Sequence, residues 1–480
     1  MASKASTQFE AAGGAAAFGK SDLVIVANRL PVKRVERDGE SAWETSPGGL
    51  VAALMPILQR RTEQGGAGGW VGWTGIPDSD AEPFLHDGIH QTPVPITEAE
   101  LEAYYEGLSN RTLWPLYHDV IRPPIYRRSW YQTYERVNQR FAEIAASEAA
   151  KNAVVWVQDY HLQLVPKMLR DLRPDLKIGF FLHIPFPSRG LFSQLPWRRE
   201  MLLGLLGADV VGFQATANAD NFADLATWFA GAEKTDTGVK LDGREIVIDA
   251  FPISIDSKKI DELARKPEQR ELAARFKRNV GGRKIILGVD RMDYTKGIDL
   301  RLLAFRELLD TGVIRPDEVV FIQSAVPTRD TVDEYAGLRS KIEELVGQIN
   351  GDFGDVGQVA VQYLRQSLPL DKLVALYAAA DIMLVTPLRD GMNLVAKEYV
   401  ASRFNNDGVL VLSEFTGAAK QMTAALIVNP HDRDGVVGAV TRAIQMGAEE
   451  AGKRMRILRT GVFENDVYHW AESFLSRLTA

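Results

Sequence analysis

The chain of 480 residues contains no cysteine. That absence excludes disulfides, thiolate zinc sites and a thiol nucleophile, and it fits a reducing compartment, of which the cytoplasm is the simplest. Long hydrophobic runs are missing too. Leu202 to Phe213 is interrupted by glycine and by Asp209, well short of the roughly 18 apolar residues of a spanning helix. No excess of positive charge exists: 56 Lys and Arg face 63 Asp and Glu, a net charge of −7. Broad electrostatic attachment to nucleic acid or to an anionic membrane is therefore not expected. Histidine is scarce, and of the 7 present only His86 and His90 have i, i+4 spacing. The Asp87-Gly88 between them reads as a turn rather than a ligand helix. Asp78-Ser79-Asp80 and Asp432-Arg433-Asp434 could bind a divalent ion, but neither follows a strand in cleft position, so no metal site is expected.

What is present is the ordinary globular balance, 46% hydrophobic and 25% charged. A single core stops growing near about 250 residues, so two large domains are expected. Short β-rich runs alternate with amphipathic stretches: Leu23 to Ala27, Ala153 to Gln158, Lys177 to His183 and Asp209 to Phe213. The pattern restarts at Lys284 to Asp290 and continues through Val319 to Ser324, Gln358 to Tyr363, Ile382 to Thr386 and Val409 to Leu412. Alternation of this kind is the signature of parallel sheet covered by helices. The expected organisation is α/β: a flexible leader over 1–21, a Rossmann-like domain over 22–255 and a second over 256–455. A C-terminal helix over 456–480 is expected to pack back on the first domain through Trp470 and Phe474, four residues apart on one stripe. Ligands in open α/β sheets bind at the carboxyl ends of the strands, so the chemistry belongs in the cleft between the domains.

Gly14 to Ser21 matches the phosphate-loop pattern G-x-x-x-x-G-K-[ST] letter by letter. It is rejected, because the motif needs a strand before it and a helix after it, and here a strand follows. The run Val385-Thr-Pro-Leu-Arg-Asp390-Gly-Met-Asn-Leu-Val-Ala-Lys-Glu398 has the better context. A strand ends, a turn follows, and a helix begins near Asn393, offering backbone donors and a positive dipole to a diphosphate. Asp390 and Glu398, about 12 Å apart if both lie on a helix, would grip hydroxyls at opposite ends of a nucleotide sugar. Arg291 and Lys296 follow the strand Lys284 to Asp290 and would neutralise a leaving diphosphate; the alternative is a surface loop paired to Asp290 and Asp293. In the first half, Asn28-Arg29 ends the first strand, Ser46-Pro-Gly48-Gly49 supplies a flexible turn opening a helix, and Asp159 and His183 end two further strands at the same edge. A lone strand-end histidine is more often structural, but Asp159 and His183 together at one edge favour the functional reading.

The blocks ANRLP, SPGGL, GGWVGWTG, LWPLYH, WVQDYHL, GFFLHIPFPS, DRMDYTKG and TPLRDGMNLVAKEY, in this order, resemble the trehalose-6-phosphate synthases, retaining glycosyltransferases of the GT-B architecture. The resemblance runs from about Leu23 to the last helix. It implies two Rossmann-like doubly wound domains facing across a cleft, and transfer of glucose from UDP-, ADP- or GDP-glucose to glucose 6-phosphate. No metal or other cofactor is implied, and a homotetramer or homodimer is. Carried over residue by residue, the catalytic set is Arg291, Lys296, Asp159 and His183. The donor site is Gly48, Gly49, Arg291, Lys296, Asp390, Gly391, Met392, Asn393, Leu394, Val395 and Glu398. The acceptor site is Arg29, Tyr105, Trp114, Asp159 and Arg329. The loop Tyr363 to Leu368 is expected to pass the nucleotide base.

Overall fold

The computed structural model describes residues 20–37, 40–46, 48–327 and 333–480. Two parallel sheets organise it, each built from the apolar runs of one half. The first has ten strands in the spatial order Glu233–Lys234, Gly238–Leu241, Arg244–Ala250, Val210–Phe213, Lys177–Phe181, Ala149–Gln158, Ser21–Arg29, Gly68–Trp73, Ile89–Pro93 and Phe84–His86. Its two ends are antiparallel hairpins, and every pairing between Arg244–Ala250 and Ile89–Pro93 is parallel. The second sheet has six parallel strands: Val361–Leu364, Val319–Val326, Lys284–Arg291, Ile382–Val385, Val409–Ser413 and Leu426–Val428. This is the doubly wound α/β architecture that the alternation predicts, in the GT-B arrangement.

The central strands are buried on both faces. Val24, Ile25 and Val26 are fully enclosed, as are Ile285, Ile286 and Leu287, which is why they read as continuous apolar runs rather than alternating ones. The chain crosses between the sheets at Phe251 to Asp256, where Asp256 caps the helix Ser257–Arg265 by accepting from the Lys259 amide.

The candidate metal pairs have structural work. His86 and His90 lie on the two strands of a hairpin whose turn holds Asp87 and Gly88 at φ 51 and 75. Asp432 caps the helix Arg433–Gln445 by accepting from the Gly435 amide. Residues 14–19 of the phosphate-loop match lie outside the described residues, and Ser21 opens the first strand.

The expected helix over 456–480 is broken. Residues to Glu464 finish the helix Ala448–Glu464, and Asp466 caps a new one, Val467–Thr479, through the Tyr468 and His469 amides. That closing helix leaves the second half and seals the face of the ten-stranded sheet. Phe474 stacks on Trp156 at 4.5 Å between centroids, and Trp470 lies 5.0 Å from the same ring. Two glycines make room: a Cβ at Gly179 or Gly212 would stand 2.6 or 2.7 Å from the Phe474 ring. Phe474→Ala should therefore cost about 3–5 kcal/mol, because neighbours with no side chain cannot collapse into the void. Urea unfolding of the variant against the parent checks this.

Candidate active site

Each sheet is entered at a central strand and grows outward in both directions, and the residues singled out by the sequence stand where the direction changes. In the first sheet Ser21–Arg29 and Ala149–Gln158 are the diverging neighbours, and Arg29 and Asp159 leave their carboxyl ends. In the second, Lys284–Arg291 and Ile382–Val385 diverge, carrying Arg291 and, through a short loop, Asp390. Strand divergence opens a crevice that no crossover helix fills, so ligands bind there.

On the second half, Lys296 donates to Asp390 across 2.6 Å, both side chains largely enclosed at 9% and 15% exposure. Burial pushes the Asp390 carboxyl up, but the Lys296 charge and the hydrogen bonds from Lys296 and Asn393 outweigh it and hold the group below its usual value. Asn393 has φ 73 and caps the helix Leu394–Ser402, accepting from the Ala396 amide while its own amide reaches Asp390 at 3.1 Å. Asp390 thus precedes the helix, so the helical ruler from Asp390 to Glu398 does not apply. Apart from the Ala396 amide, which Asn393 caps, the N–H groups opening that helix have no intrahelical acceptor, an arrangement suited to an anion. Glu398 accepts from the Tyr377 hydroxyl at 2.9 Å, and its burial raises its pKa against that bond.

The surface-loop alternative for the two cations fails. Asp290 belongs to the buried Arg301, at 2.6 Å, and Asp293 accepts from the amide and hydroxyl of Thr295. Arg301 also reaches Thr386, Gln323 and the Lys296 carbonyl, so one buried guanidinium ties together both loops that carry the site.

On the first half, Arg29 lies 4.6 Å over the Trp73 ring, and Tyr105 stacks on His161 at 5.6 Å from a widened π-type helix, Leu101–Leu113. Asp159 sits at φ 70 and accepts from the His183 amide at 3.2 Å. His183 pairs through Nε2 with Gln158 Oε1 at 2.9 Å, and burial lowers its pKa to about 3. Trp470 of the closing helix stands 6.2 Å from its ring. Tyr363 is half-buried on the strand Val361–Leu364. Arg329 and Pro47 lie outside the described residues.

The halves meet at the predicted residues. A Cβ on Gly391 would overlap the His183 carbonyl, and a Cβ on Gly49, beside the exposed Gly48, would come within 3.2 Å of Leu394 Cδ1. Met392 is buried under the 3.0 Å bond its carbonyl accepts from Ala418, and Val395 is half-buried on the same helix. Arg291, exposed at its strand end, holds its guanidinium 5.3 Å over the Trp114 ring. Of the predicted residues, these contacts bring Gly391, Leu394 and Arg291 of the second half against His183, Gly49 and Trp114 of the first, whereas the contacts given above for Arg29, Tyr105 and Asp159 lie within the first half.

Sequence reasoning missed His118, Tyr377, Arg301 and Lys397. His118 follows Trp114 by four residues, a helical spacing that was legible; the others act through contacts with no spacing signal. Among the described residues no group of three or more metal-ligating side chains occurs.

Lys397 is 1% exposed and donates to the Ile253 carbonyl at 2.8 Å and Gln421 at 2.7 Å. It ties the helix bearing Glu398 to the crossover between the halves. Burial lowers its pKa from 10.5 to about 7. Between those values the unfolded chain binds the extra proton, so stability should rise with pH across the window. The slope is at most about 1.4 kcal/mol per pH unit for one group. Lys397→Met should abolish that slope, read as urea midpoints from pH 7 to 10; a slope equal to the parent's counts against it.

A model of glycosyltransferase family 20 matches residues 21–480. The trehalose-6-phosphate synthase of Mycobacterium avium (strain 104) is 53% identical over 480 residues, covering 96% of this chain and 96% of that protein. That of Mycobacterium tuberculosis (strain ATCC 25618 / H37Rv) is 52% identical over 481 residues, covering 96% and 95%. Among solved structures, a UDP-forming α,α-trehalose-phosphate synthase from Burkholderia xenovorans in complex with glucose-6-phosphate matches with a TM-score of 0.87 at 34% identity, covering 95% of this chain and 100% of that one. The E. coli structure bound with UDP-2-fluoro glucose matches with a TM-score of 0.86 at 33% identity, covering 95% and 98%.

Proposed function

The chain belongs to glycosyltransferase family 20, and from that premise we propose that it makes trehalose 6-phosphate, transferring glucose from a nucleoside-diphosphate glucose to glucose 6-phosphate with retention at the donor carbon. The observation that carries this reading is the contact between the halves, where Arg291 lies 5.3 Å over Trp114. A cation suited to a departing diphosphate thereby adjoins an aromatic wall suited to an acceptor sugar. The relatives bound with UDP-2-fluoro glucose and with glucose-6-phosphate support the same donor and acceptor classes.

In this scheme the first turn of Leu394–Ser402 and the Gly391 to Val395 backbone receive the diphosphate, with Gly48 and Gly49 allowing close approach. Arg291 and Lys296 stabilise the charge that grows on the leaving phosphate, so the scheme requires no divalent cation. Asp390 orients the donor glucose hydroxyls, kept ionised by Lys296 and Asn393. Glu398, steered by Tyr377, takes the ribose hydroxyls. A neutral His183 serves the donor sugar. Arg29 and Arg329 clamp the acceptor phosphate, while Tyr105, Trp114 and Asp159 orient the acceptor ring. Retention follows if attack comes from the face the diphosphate leaves. The acceptor hydroxyl proton passes to the departing phosphate oxygen as the new C–O bond forms and the old one breaks.

The direct test is nucleoside-diphosphate release from UDP-, ADP- and GDP-glucose, each with and without glucose 6-phosphate, with product configuration read by NMR. Acceptor-dependent release of an α,α-linked phosphorylated disaccharide is expected, and release indifferent to glucose 6-phosphate overturns the acceptor assignment. Lys296→Ala should lose about 10²-fold or more in kcat, as removal of a transition-state donor does. An unchanged kcat refutes the role given to Lys296.

A further inference from the structure

The segment His118 to Arg122 follows the short helix Trp114–Tyr117 on the acceptor side, and its backbone is strained. Asp119 and Val120 both lie in the left-handed region, at φ 55 and 56. Two consecutive non-glycine residues there are unusual, and a β-branched valine is a genuine outlier. Such a conformation persists only where the surroundings over-determine it. Part of the hold is local: the Val120 amide donates to the Pro115 carbonyl at 2.9 Å and the Ile121 amide to that of His118 at 3.3 Å.

The rest comes from the other half of the molecule. Asp119 pairs with Arg389 at 3.1 Å, and Arg389 immediately precedes Asp390. Arg122 stands 6.0 Å from the ring of Tyr294, two residues before Lys296. His118, 1% exposed, donates from Nδ1 to the Trp114 carbonyl at 2.8 Å and packs tilted against the Trp114 ring at 4.1 Å between centroids. Its imidazole is pushed down to about 4 by burial and feels the charges of Asp293, Lys296 and Asp390. One strained turn thus touches both loops that carry the Lys296–Asp390 pair and braces the aromatic ring under Arg291.

We infer that His118 to Arg122 is an interdomain clasp, and that Asp119 and His118 are positioning residues which hold the donor-side loops in register with the acceptor wall. The clasp rests on the transferase reading above. Its chemical consequence is the choice of nucleophile. With the halves held together, the acceptor hydroxyl attacks the donor carbon. With the clasp loosened, water takes its place: its oxygen bonds the donor carbon, the bond to the diphosphate oxygen breaks, and the water proton leaves to the diphosphate.

The test is a double-mutant cycle of Asp119→Ala and Arg389→Ala, read as the ratio of acceptor-independent donor hydrolysis to transfer. Each single variant should raise that ratio about fivefold, the scale of a partly exposed ion pair. The double variant should be no worse than the more affected single, since the two residues act as one unit. Because both side chains are partly exposed, at 26% and 45%, the unfolding midpoint should stay at the parent's value. His118→Phe, which keeps an aromatic ring against Trp114 but loses the donated proton, should lower kcat more than it changes either KM. Unchanged ratios in both single variants, or effects that multiply in the double, overturn the clasp. An inactive parent would instead sink the transferase reading.

Discussion

The constraint on which the molecule turns is a missing side chain. At Gly391 the backbone of the second half lies directly against the His183 carbonyl of the first, in space that even a methyl group would occupy. Everything chemical is arranged around that contact. Asp390 is the preceding residue and Asn393 the helix cap two positions on, while His183 bonds Gln158 and donates its backbone amide to the Asp159 carboxylate. Two separately folded sheets therefore meet backbone to backbone, which is stiffer than a meeting of long side chains and fixes the spacing of charges on either wall.

Behind the contact stands a second kind of rigidity, a buried polar network. Arg301 at 0% side-chain exposure joins Asp290, Gln323, Thr386 and the Lys296 carbonyl. A guanidinium bonded through all three nitrogens in a closed environment is a strong orienting device, and an unbonded one would be costly. Arg301 engages Asp290, and Thr295 with Tyr335 engages Asp293, so Lys296 addresses Asp390 rather than the acids of its own loop. Division of labour among neighbouring carboxylates is set here by burial and geometry, not by residue type.

Much of this was legible in the sequence, for definite reasons. Strands buried on both faces are short apolar runs, so Ser21–Arg29, Lys284–Arg291 and Val409–Ser413 could be located within a few residues. The glycine-rich strand Gly68–Trp73 and the charged hairpin Val32–Arg37 with Glu40–Thr45 were not, because neither carries the apolar run or composition of an ordinary strand. The site followed the same rule. Arg291, Asp159 and Asp390 were visible as residues just past strand ends, where the topology makes position informative. Tyr377 beneath Glu398 and Asp119 opposite Arg389 were invisible, since each depends on a partner brought near only by folding. The helical spacing assumed between Asp390 and Glu398 failed because a left-handed Asn393, not Asp390, begins the helix.

The closing helix Val467–Thr479 gives the molecule an order of assembly. The face of the ten-stranded sheet that carries Trp156, Gly179 and Gly212 is complete once Ala250 has been made, yet its cover arrives only with Trp470 and Phe474. At about 5–20 residues per second, a ribosome holds that apolar surface bare for many seconds while the whole second half is translated. Until then the nascent chain presents a flat aromatic face beside a histidine of the future cleft, a surface for chaperones to shield. The same thirteen residues that finish the fold therefore also decide when the first half stops being sticky.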